Sequence, residues 1–494
     1  MTWFDPNLVP VNGGQQDPPA PAARPAPPAP PDAQQWPLTD AGNAERFAYY
    51  NRHAARWVSQ WQKWIVWDGG RWQTDTHLRI DRLAVETARR IPDDVDADDK
   101  HGRKKVLRWA TGSENTARLS AMIRQARGLL AVSSSSLDAD PWAFNCASGT
   151  IDLRSGGIRP HNPDDLITKI SPLPYEPDAQ ALAWQVFLDE IMDGDREVID
   201  FLHRATGYSL TGLTGEEMWF LAEGGGANGK STFLKVIRAV LGDYARNAAD
   251  DTFTHNGRFD ASRIPNDIAR LQGARFVTVV ETGVGRRLDE TLVKRVVSGD
   301  PLTARYLHQE YFEYLPSMKV WMATNKLPQI HGGDEGIWRR TRRIPFHVSI
   351  PPERRITDYD QRLLDEEGPA ILSWLVRGCT AWRARRLADH QPSAIADATQ
   401  AYRENADVLG GYLDEACEVG NLDDAEGATD LYKSYRRWCD DVGERPMSQK
   451  AFGAALQERG FTHGPRDPNT RRKTYLGIKL RPSWRTYGGG RMPI

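Results

Sequence analysis

A glycine-rich run at Gly224–Ser231, GGGANGKS, contains the residue types that hold a chain of phosphates. Its glycines let successive backbone N–H groups approach phosphate oxygens, while Lys230 offers a cation and Ser231 a hydroxyl group for Mg²⁺. The run MWFLAE before it predicts a strand and TFLKVIRAVLG after it a helix, whose N-terminus attracts anions. The sequence therefore predicts a nucleoside triphosphate site formed by Gly224, Gly225, Gly226, Ala227, Asn228, Gly229, Lys230, Ser231 and Thr232.

Two further predicted strands end on residues suited to hydrolysis. The run ARFVTVVE ends on Glu281, the candidate for activating the attacking water and, with Ser231, for holding Mg²⁺. The run MKVWMATN ends on Asn325, whose amide can contact the γ-phosphate, although an asparagine there is more often a turn residue. Val280 stands where a second, metal-facing acid is expected, which leaves Asp300 or a water to compensate.

Downstream, GGDEGIWRRTRRIPF concentrates cationic side chains. Guanidinium groups stabilise the charge that develops on a transferring phosphoryl group, and one of them could reach a neighbouring subunit's nucleotide. Taken alone, such a run is typical of a solvated edge, but its place just after Asn325 favours a catalytic role. The cluster consists of Arg339, Arg340, Arg342 and Arg343.

Length and composition indicate a multidomain globular chain. The 494 residues exceed one ordinary core, and 40% hydrophobic with 26% charged residues is typical of a folded protein without membrane spans. A net charge of −2 excludes a polycation that coats nucleic acid, and the start MTWFDPNLVP lacks the features of a signal peptide, which favours the cytoplasm. The dispersed cysteines are assigned to packing: Cys146, Cys379, Cys417 and Cys439.

The elements around this site are predicted from periodicity. A Pro/Ala-rich tail precedes a helix over about residues 43–62, capped near Thr39 and Asp40, and a β-hairpin that turns at Asp68–Gly70. The tryptophans of this region either build core, which is favoured, or form a base-stacking platform. They are Trp57, Trp61, Trp64, Trp67 and Trp72.

The rest of the chain reads as helices around an α/β centre. Helical patterns cover 78–132, where the basic run RKKVLRW is interpreted as a solvated face, and short strands lie within 144–174. Further helices are predicted at about 179–207 and from 351 to 389. The fold class is multidomain α/β: a tail (1–37), a mostly helical N-terminal α+β domain (38–180), a nucleotide-binding core (181–350) with a helical collar at its start, a helical segment (351–408) and a winged-helix-like domain (409–494).

The last segment is also strongly basic. Residues 431–494 hold 14 Lys and Arg against 5 Asp and Glu, a difference of +9, which suits contact with a duplex backbone. Arg471, Arg472 and Lys473 are predicted on the wing, where contact with DNA and a solvated turn remain equally open.

In this order and spacing, the motifs resemble the phage/plasmid primase C-terminal family, whose motor is an AAA+-like superfamily 3 helicase. GGGANGKS matches its A motif, FVTVVE the B motif, KRVVSGDPLTARYLHQEYFEY the B′ motif and MATNKLP the C motif, with GIWRRTRRIPF after it. The resemblance covers about residues 38–480. Val280 and Ser298 depart from the family's small residue and glycine in the B and B′ motifs.

The resemblance implies a ring, usually a hexamer, that binds ATP and Mg²⁺ between subunits and moves a hairpin along one DNA strand. Lys230 and Ser231 would bind phosphate and metal, Glu281 would activate water and Asn325 would sense the γ-phosphate. Arg340 is the first choice for the arginine finger and Arg339 the second. The hairpin would span about 303–314, and its DNA contacts would be Lys294, Arg305, His308 and Gln309.

The expected function is therefore an ATP-dependent, ring-forming DNA helicase of a phage or mobile element, in the bacterial host cytoplasm. Its partners would be single-stranded and forked DNA and a separate primase or polymerase. No primer synthesis is expected of this chain, since only the Pro/Ala tail precedes Leu38. The alternative is a replication initiator or loader, in which ATP switches assembly and the basic C-terminal segment binds origin duplex.

Overall fold

The computed structural model describes residues 36–94, 100–255, 264–281, 287–305, 310–330, 335–421, 424–442, 446–465 and 473–485. They form two compact units, the first made of the described residues of Met1–Val58, Gln62–Val66 and Asp75–Ala131 and the second of the remainder. Among these described ranges, no helix has the length and apolar character needed to cross a bilayer. Most of the predicted tail lies outside them, but the carbonyls of Trp36 and Pro37 accept hydrogen bonds from the buried guanidinium of Arg46.

The first part of the chain forms helices around a small hairpin. Thr39 caps the first helix as predicted, since its hydroxyl accepts from the Gly42 N–H at 3.1 Å. In chain order the elements are α1 (Asp40–Asn51), β1 (Ala55–Val58), β2 (Lys63–Trp67), β3 (Trp72–Thr74), α2 (Arg79–Arg90), α3 (Lys100–Ser113), α4 (Thr116–Leu129) and β4 (Ala131–Val132).

The prediction of one helix over 43–62 is wrong in its second half. Helix α1 ends at Asn51, and Ala55–Val58 pairs antiparallel with Lys63–Val66, with Trp57 opposite Trp64. Both tryptophans are buried with Phe47 in the core of the first unit, which confirms them as core residues. Aromatic residues at these spacings satisfy either period, and cross-strand pairing decided between them. The predicted turn is present, since Asp68 N–H donates to the Arg71 carbonyl.

The second unit begins with a small sheet and two helices. Strands β5 (Ala143–Cys146), β6 (Gly149–Asp152) and β7 (Gly157–Arg159) are antiparallel and precede α5 (Leu182–Ile191) and α6 (Arg196–Ser209). The sequence predicted one helix over 179–207, but Asp193 and Gly194 take left-handed conformations that end α5. The Asp195 carboxylate then caps α6 by accepting from the N–H groups of Glu197 and Val198.

The centre of the second unit is a five-stranded, fully parallel sheet in the order β16-β8-β15-β11-β9. Both faces are covered, because Phe220 and Trp321 belong to one buried cluster while their neighbours Leu221 and Met322 belong to another. In chain order, the strands of this sheet and the elements between them are β8 (Trp219–Glu223), α7 (Lys230–Leu241), β9 (Ala245–Asn247), β10 (Thr254–His255), α8 (Ile264–Ala269), β11 (Phe276–Glu281), β12 (Arg287–Leu288), α9 (Glu290–Ser298), β13 (Leu302–Ala304), β14 (Phe312–Tyr314), β15 (Lys319–Thr324), α10 (Glu335–Trp338) and β16 (Thr341–Pro345).

The segment after residue 351 is mainly helical up to Ala406, as predicted, and shorter helices and strands follow it. The four cysteines are free and buried, which confirms their role in packing. Helices α11 (Tyr359–Ala384) and α12 (Ser393–Ala406) precede the last described elements, most of which contribute residues to one hydrophobic core. They are α13 (Val408–Ala416), β17 (Cys417–Val419), β18 (Ala425–Gly427), α14 (Ala428–Val442), α15 (Gln449–Glu458), β19 (His463–Gly464), β20 (Thr474–Leu476) and β21 (Ile478–Leu480).

The first unit is shorter than the N-terminal domain that the sequence predicted. The unit ends at Ala131, whereas the prediction extended to residue 180. Phe144, Ile151 and Leu153 explain the difference, because they are buried in the same cluster as Phe220 of the central sheet. Short strands separated by glycines resemble a small domain in sequence, but these strands supply one wall of a larger core.

Helices α6 and α11 cross at two glycines, which yields a first prediction. A Cβ on Gly207 would lie 2.1 Å from the Cys379 nitrogen, so Gly207→Ala should destabilise the second unit by about 1–3 kcal/mol through overpacking. Urea unfolding followed by tryptophan fluorescence, with hydrogen exchange of α6 and α11, measures this. Gly128→Ala is the matched control in α4, where a Cβ meets nothing within 4 Å, and it should be neutral or stabilising. Equal effects of the two changes would contradict the close crossing.

Candidate nucleotide-binding site

The glycine loop (Gly224–Gly229) connects β8 to α7 at the carboxyl edge of the sheet. Gly226, Ala227 and Gly229 have φ values of 103°, 50° and 80°, so the backbone curls through the left-handed region. Curled segments of this kind form concavities lined by backbone N–H groups that bind anions. The N–H groups of the first turn of α7 also have no acceptor within their helix, since its first internal bond runs from Phe233 N–H to Gly229.

Two glycines of the loop are required by close contacts. A Cβ on Gly224 would lie 2.3 Å from Asn228 Nδ2 and 2.4 Å from the Phe346 carbonyl oxygen. A Cβ on Gly229 would lie 2.4 Å from Ile191 Cγ2. The loop is therefore fitted between α5 on one side and the segment after β16 on the other. The Ile350 N–H also donates to the Ala227 carbonyl at 2.8 Å, which fixes the middle of the loop.

Lys230, the first residue of α7, is 4% exposed, and its ammonium group lies at the centre of the site. Nζ donates to the Gly224 carbonyl at 2.7 Å, to Asn228 Oδ1 at 3.2 Å and to Asn325 Oδ1 at 3.3 Å. Burial lowers the pKa of Lys230, and the nearby Glu223 carboxylate opposes that shift. A cation held by neutral oxygens at the mouth of a helix N-terminus is suited to binding a phosphate group.

Asn325 lies where the sequence predicted it, beside Lys230. It follows the last residue of β15, which pairs with β8 so that Thr324 is opposite Glu223. Glu281 ends β11, which pairs with the other side of β15, also opposite Thr324. Strand β15 therefore lies between β8, which leads into the glycine loop, and β11, which ends on Glu281. Asn325 is thus one strand closer to the glycine loop than Glu281. Val280 is 47% exposed next to that strand end.

The metal contacts predicted for Ser231 and Glu281 remain predictions. Ser231 is exposed in the first turn of α7. Within the described ranges, no cluster of three or more His, Cys, Asp or Glu side chains could hold a metal ion. A Mg²⁺ that is bound mainly by phosphate oxygens, water and one or two protein ligands does not need such a cluster.

The two candidate finger arginines have opposite environments. Arg340 is buried, and its guanidinium donates to Glu217 Oε2 at 2.6 Å, Ser298 Oγ at 2.9 Å and the Gly336 carbonyl at 2.9 Å. These contacts fasten Arg340 within its own subunit and disfavour it as the finger, a role that stays a prediction. The Arg339 side chain is 65% exposed, and its one ion pair in the described residues is a long contact of 3.5 Å with Glu217.

Sequence reasoning missed a structural ion pair under the glycine loop. Glu223, the last residue of β8, is 3.0 Å from Arg343 of β16, and Arg343 also donates to the Ala398 carbonyl at 2.9 Å. Arg343 therefore fixes the strand end that precedes the loop. Burial lowers the pKa of the neighbouring Arg342. An acidic residue directly before the glycine run was the available signal.

The predicted hairpin over 303–314 is confirmed for its two strands. Leu302–Ala304 pairs antiparallel with Phe312–Tyr314. Arg305 lies over the ring of Tyr311 at 4.7 Å, and Tyr311 is 58% exposed. His308 and Gln309 lie outside the described residues, as do Arg471 and Arg472. Lys294 is half-buried on α9 and Lys473 is exposed before β20.

Comparison with known proteins identifies two matching domain models and several viral relatives. A D5 N terminal like domain matches residues 44–193, and a family of unknown function (DUF5906) matches residues 222–343. "Putative helicase L207/L206" of Acanthamoeba polyphaga mimivirus is 26% identical over 324 residues, which are 61% of this chain and 33% of that protein. "Putative primase C962R" of African swine fever virus is 25% identical over 238 residues, 46% and 24% of the two chains.

The fold also has a solved counterpart. The apo structure of the NrS-1 C terminal region (305-718) superposes with a TM-score of 0.51 at 10% identity, covering 88% of this chain and 99% of that one. The viral relatives with which the chain shares sequence are named as helicases and primases. These matches support a likeness to D5-like primase-helicases, in agreement with the resemblance seen in the motifs. The chain spans about a third of the length of the curated helicase relatives.

The buried arginine of the pair yields a second prediction. Arg340→Ala removes three hydrogen bonds of a charged group and should lower the free energy of unfolding by about 2–3 kcal/mol, with Glu217 left to be solvated. Arg339→Ala should change it by less than about 0.5 kcal/mol, because the side chain is largely exposed. Urea titrations of both variants measure the difference. A neutral Arg340→Ala would restore that residue as a candidate for contact between subunits.

Proposed function

We propose that this chain is the ATP-driven motor of a superfamily 3 DNA helicase, which hydrolyses ATP between the subunits of a ring and unwinds duplex DNA. One observation carries the proposal: the Lys230 ammonium lies within 3.3 Å of both the glycine loop and Asn325. A phosphate-binding cation and a polar group at the adjacent strand end form the core of a P-loop, AAA+-like hydrolase site. The similarity to viral proteins named as helicases and primases supports a role in replication.

In this proposal the glycine loop and Lys230 hold the triphosphate, and the residues of the first turn of α7 complete its cradle. Ser231 and Glu281 would hold Mg²⁺, which neutralises charge on the phosphates when bound. Asn325 orients the γ-phosphate or the attacking water, because its amide already lies beside Lys230. The Glu281 carboxylate would accept a proton from that water.

The proposal assigns Arg339 to the neighbouring subunit's nucleotide. Its exposed guanidinium has one long contact with Glu217, so it can turn outward at small cost. The adjacent Arg340 fixes the backbone from which Arg339 projects. Completion of the site by a second subunit makes turnover depend on assembly, and a hexameric ring is the arrangement we propose.

DNA would be engaged by two further regions. The β13–β14 hairpin offers Arg305 and the exposed ring of Tyr311 for backbone and base contacts with a single strand. The C-terminal elements, in which α14 and α15 precede the β19–β20 pair, would act as a winged helix with Lys473 at the wing. That region also supports a second candidate function, an ATP-switched initiator that binds origin duplex. Unwinding of forked DNA favours the helicase, and selective duplex binding without unwinding favours the initiator.

A third prediction tests the hydrolytic site. Lys230→Ala should reduce the ATPase rate at least a hundredfold, because the cation that contacts the phosphates is lost. Lys235→Ala is the matched control on the same helix, since its side chain is 57% exposed and its ion pair in the described residues is with Asp360 at 3.5 Å. Steady-state phosphate release, with and without single-stranded DNA, measures both. Wild-type protein that hydrolyses no ATP under either condition would refute the proposed function.

A fourth prediction tests whether sites are shared between subunits. The Arg339→Ala variant should bind ATP normally but fail to hydrolyse it. A mixture of this variant with wild-type chains should lose part of the ATPase activity. Mixing Arg339→Ala with Lys230→Ala should restore some ATPase activity, because some interfaces then combine an intact Lys230 with an intact Arg339. Arg339→Lys in the same mixture is the control for charge without the guanidinium fork. Two inactive variants that stay inactive when mixed would place Arg339 outside the neighbouring site.

A further inference from the structure

Helices α3 and α4 of the first unit are strongly basic. Residues 100–129 hold eight Lys and Arg against one Asp or Glu, a difference of +7 in a chain whose net charge is −2. Only Glu114 and Asn115 separate the two helices, and the Arg118 guanidinium of α4 lies over the Trp109 ring of α3 at 4.0 Å. The two helices are therefore packed neighbours, and they are called the α3–α4 pair below.

Most of these cations face solvent. Val106 and Ala110 bury one side of α3 in the core of the first unit, and Met122 and Ala126 do the same for α4. The sides that remain in solvent carry the basic residues, which are Arg103, Lys104, Lys105 and Arg108 on α3 and Arg124 and Arg127 on α4. The run RKKVLRW is thus an exposed face, as the sequence indicated.

The exposed cations of the α3–α4 pair lack the partners that other arginines of the unit have. Arg89 is 3.0 Å from the Glu114 carboxylate, and Arg118 is 3.9 Å from that of Asp40. Within the described ranges, no ion pair or side-chain hydrogen bond is formed by Lys104, Lys105, Arg108 or Arg124. Their positive charge is therefore not balanced by neighbouring carboxylates of the described chain.

The arrangement along α3 concentrates this charge. Lys104 and Arg108 are four residues apart and so lie next to each other on the helix surface, a spacing at which like charges destabilise a helix. The acidic run DDVDADD ends at Asp99, before α3 begins. Arg108 is eight residues beyond Lys100, about 12 Å along the helix axis, which exceeds the ~8 Å screening length at physiological salt. A bound polyanion would offset the repulsion that the helix carries when it is free.

We propose that the exposed cations of the α3–α4 pair bind the phosphate backbone of DNA. Nucleic acid presents a dense line of negative charge, about one for every 1.7 Å of duplex axis, which suits a row of unpaired lysines and arginines. This inference goes beyond the proposed function, which assigns DNA contacts to the β13–β14 hairpin and the C-terminal elements. It gives the first unit a role in holding DNA that does not require nucleotide.

The aromatic residues of the same region indicate contact with the backbone rather than with bases. The Arg127 guanidinium covers the Trp57 ring at 4.2 Å, and Arg118 covers Trp109. Rings that are already covered by a cation are not open for stacking with a base. Contacts with phosphates position nucleic acid without reading its sequence, so binding by the α3–α4 pair is independent of sequence.

A double variant tests this surface without ATP. Lys104→Gln combined with Arg108→Gln removes two charges from exposed positions of α3. We expect the affinity for labelled duplexes of unrelated sequence to fall equally, by at least about fivefold, and the slope of log affinity against log salt to become shallower by about 2. Fluorescence anisotropy of the full chain at several salt concentrations measures both. The thermal unfolding midpoint should not fall, since the changes relieve repulsion within α3.

Matched variants locate the effect. Lys63→Gln with Arg82→Gln removes the same two charges from exposed positions of β2 and α2 and should leave the affinity and the salt slope near wild type. Lys104→Arg with Arg108→Lys keeps both charges and should bind as the wild type does, because phosphate accepts either cation. Unchanged affinity and slope in the Lys104→Gln, Arg108→Gln variant, or equal losses in the β2 and α2 control, would overturn the inference. Wild-type protein that hydrolyses no ATP but binds DNA through α3 would overturn the motor proposal alone.

Discussion

The buried ammonium group of Lys230 is the constraint on which the site depends. Removing a cation from water is costly unless its donors are satisfied, and here they meet three oxygens from separate parts of the chain. One oxygen begins the glycine loop, one belongs to Asn228 within it and one follows β15. The ends of β8 and β15 must therefore be neighbours, as the parallel register places them. Asn228 in turn is held by the carbonyl of Phe346, which extends the constraint to the segment after β16.

The sequence could predict the site residues that act through their own chemistry. It could not predict the residues whose role depends on their surroundings in the fold. Lys230 could be named because a glycine run that ends in lysine and serine between a strand and a helix has few other uses, whereas Asn325 depended on its order after that run. The break between α5 and α6 at Asp193–Gly194 could not be predicted, since the apolar periodicity on its two sides continues as it would in a single helix. The role of Arg343 could not be predicted either, because its partner Glu223 lies 120 residues earlier and contacts it only when β16 pairs with β8.

Arg339 and Arg340 show why identical neighbours needed the fold to separate them. Both follow α10 and precede β16, and composition alone ranks them equally. The two residues form the turn before β16, and their side chains face different surroundings, because Arg340 is buried and Arg339 is exposed. One side here is the interior, where Glu217 and Ser298 receive Arg340. Ser298, a departure from the family's glycine, thus has a structural partner rather than an evident role with metal.

Lys230 also limits what can happen when a phosphate arrives. An ammonium group has three donors, and all three already have protein acceptors in the described residues. A phosphate oxygen that binds Nζ must therefore replace one of them. The contact with Asn325 is the longest of the three, at 3.3 Å, and it is the one outside the loop itself. If this contact breaks first, the Asn325 amide no longer binds Lys230 and is free to contact the phosphate that replaced it. Nucleotide occupancy would then be registered at the end of β15, the strand between Glu281 and the glycine loop, without any rearrangement of the loop.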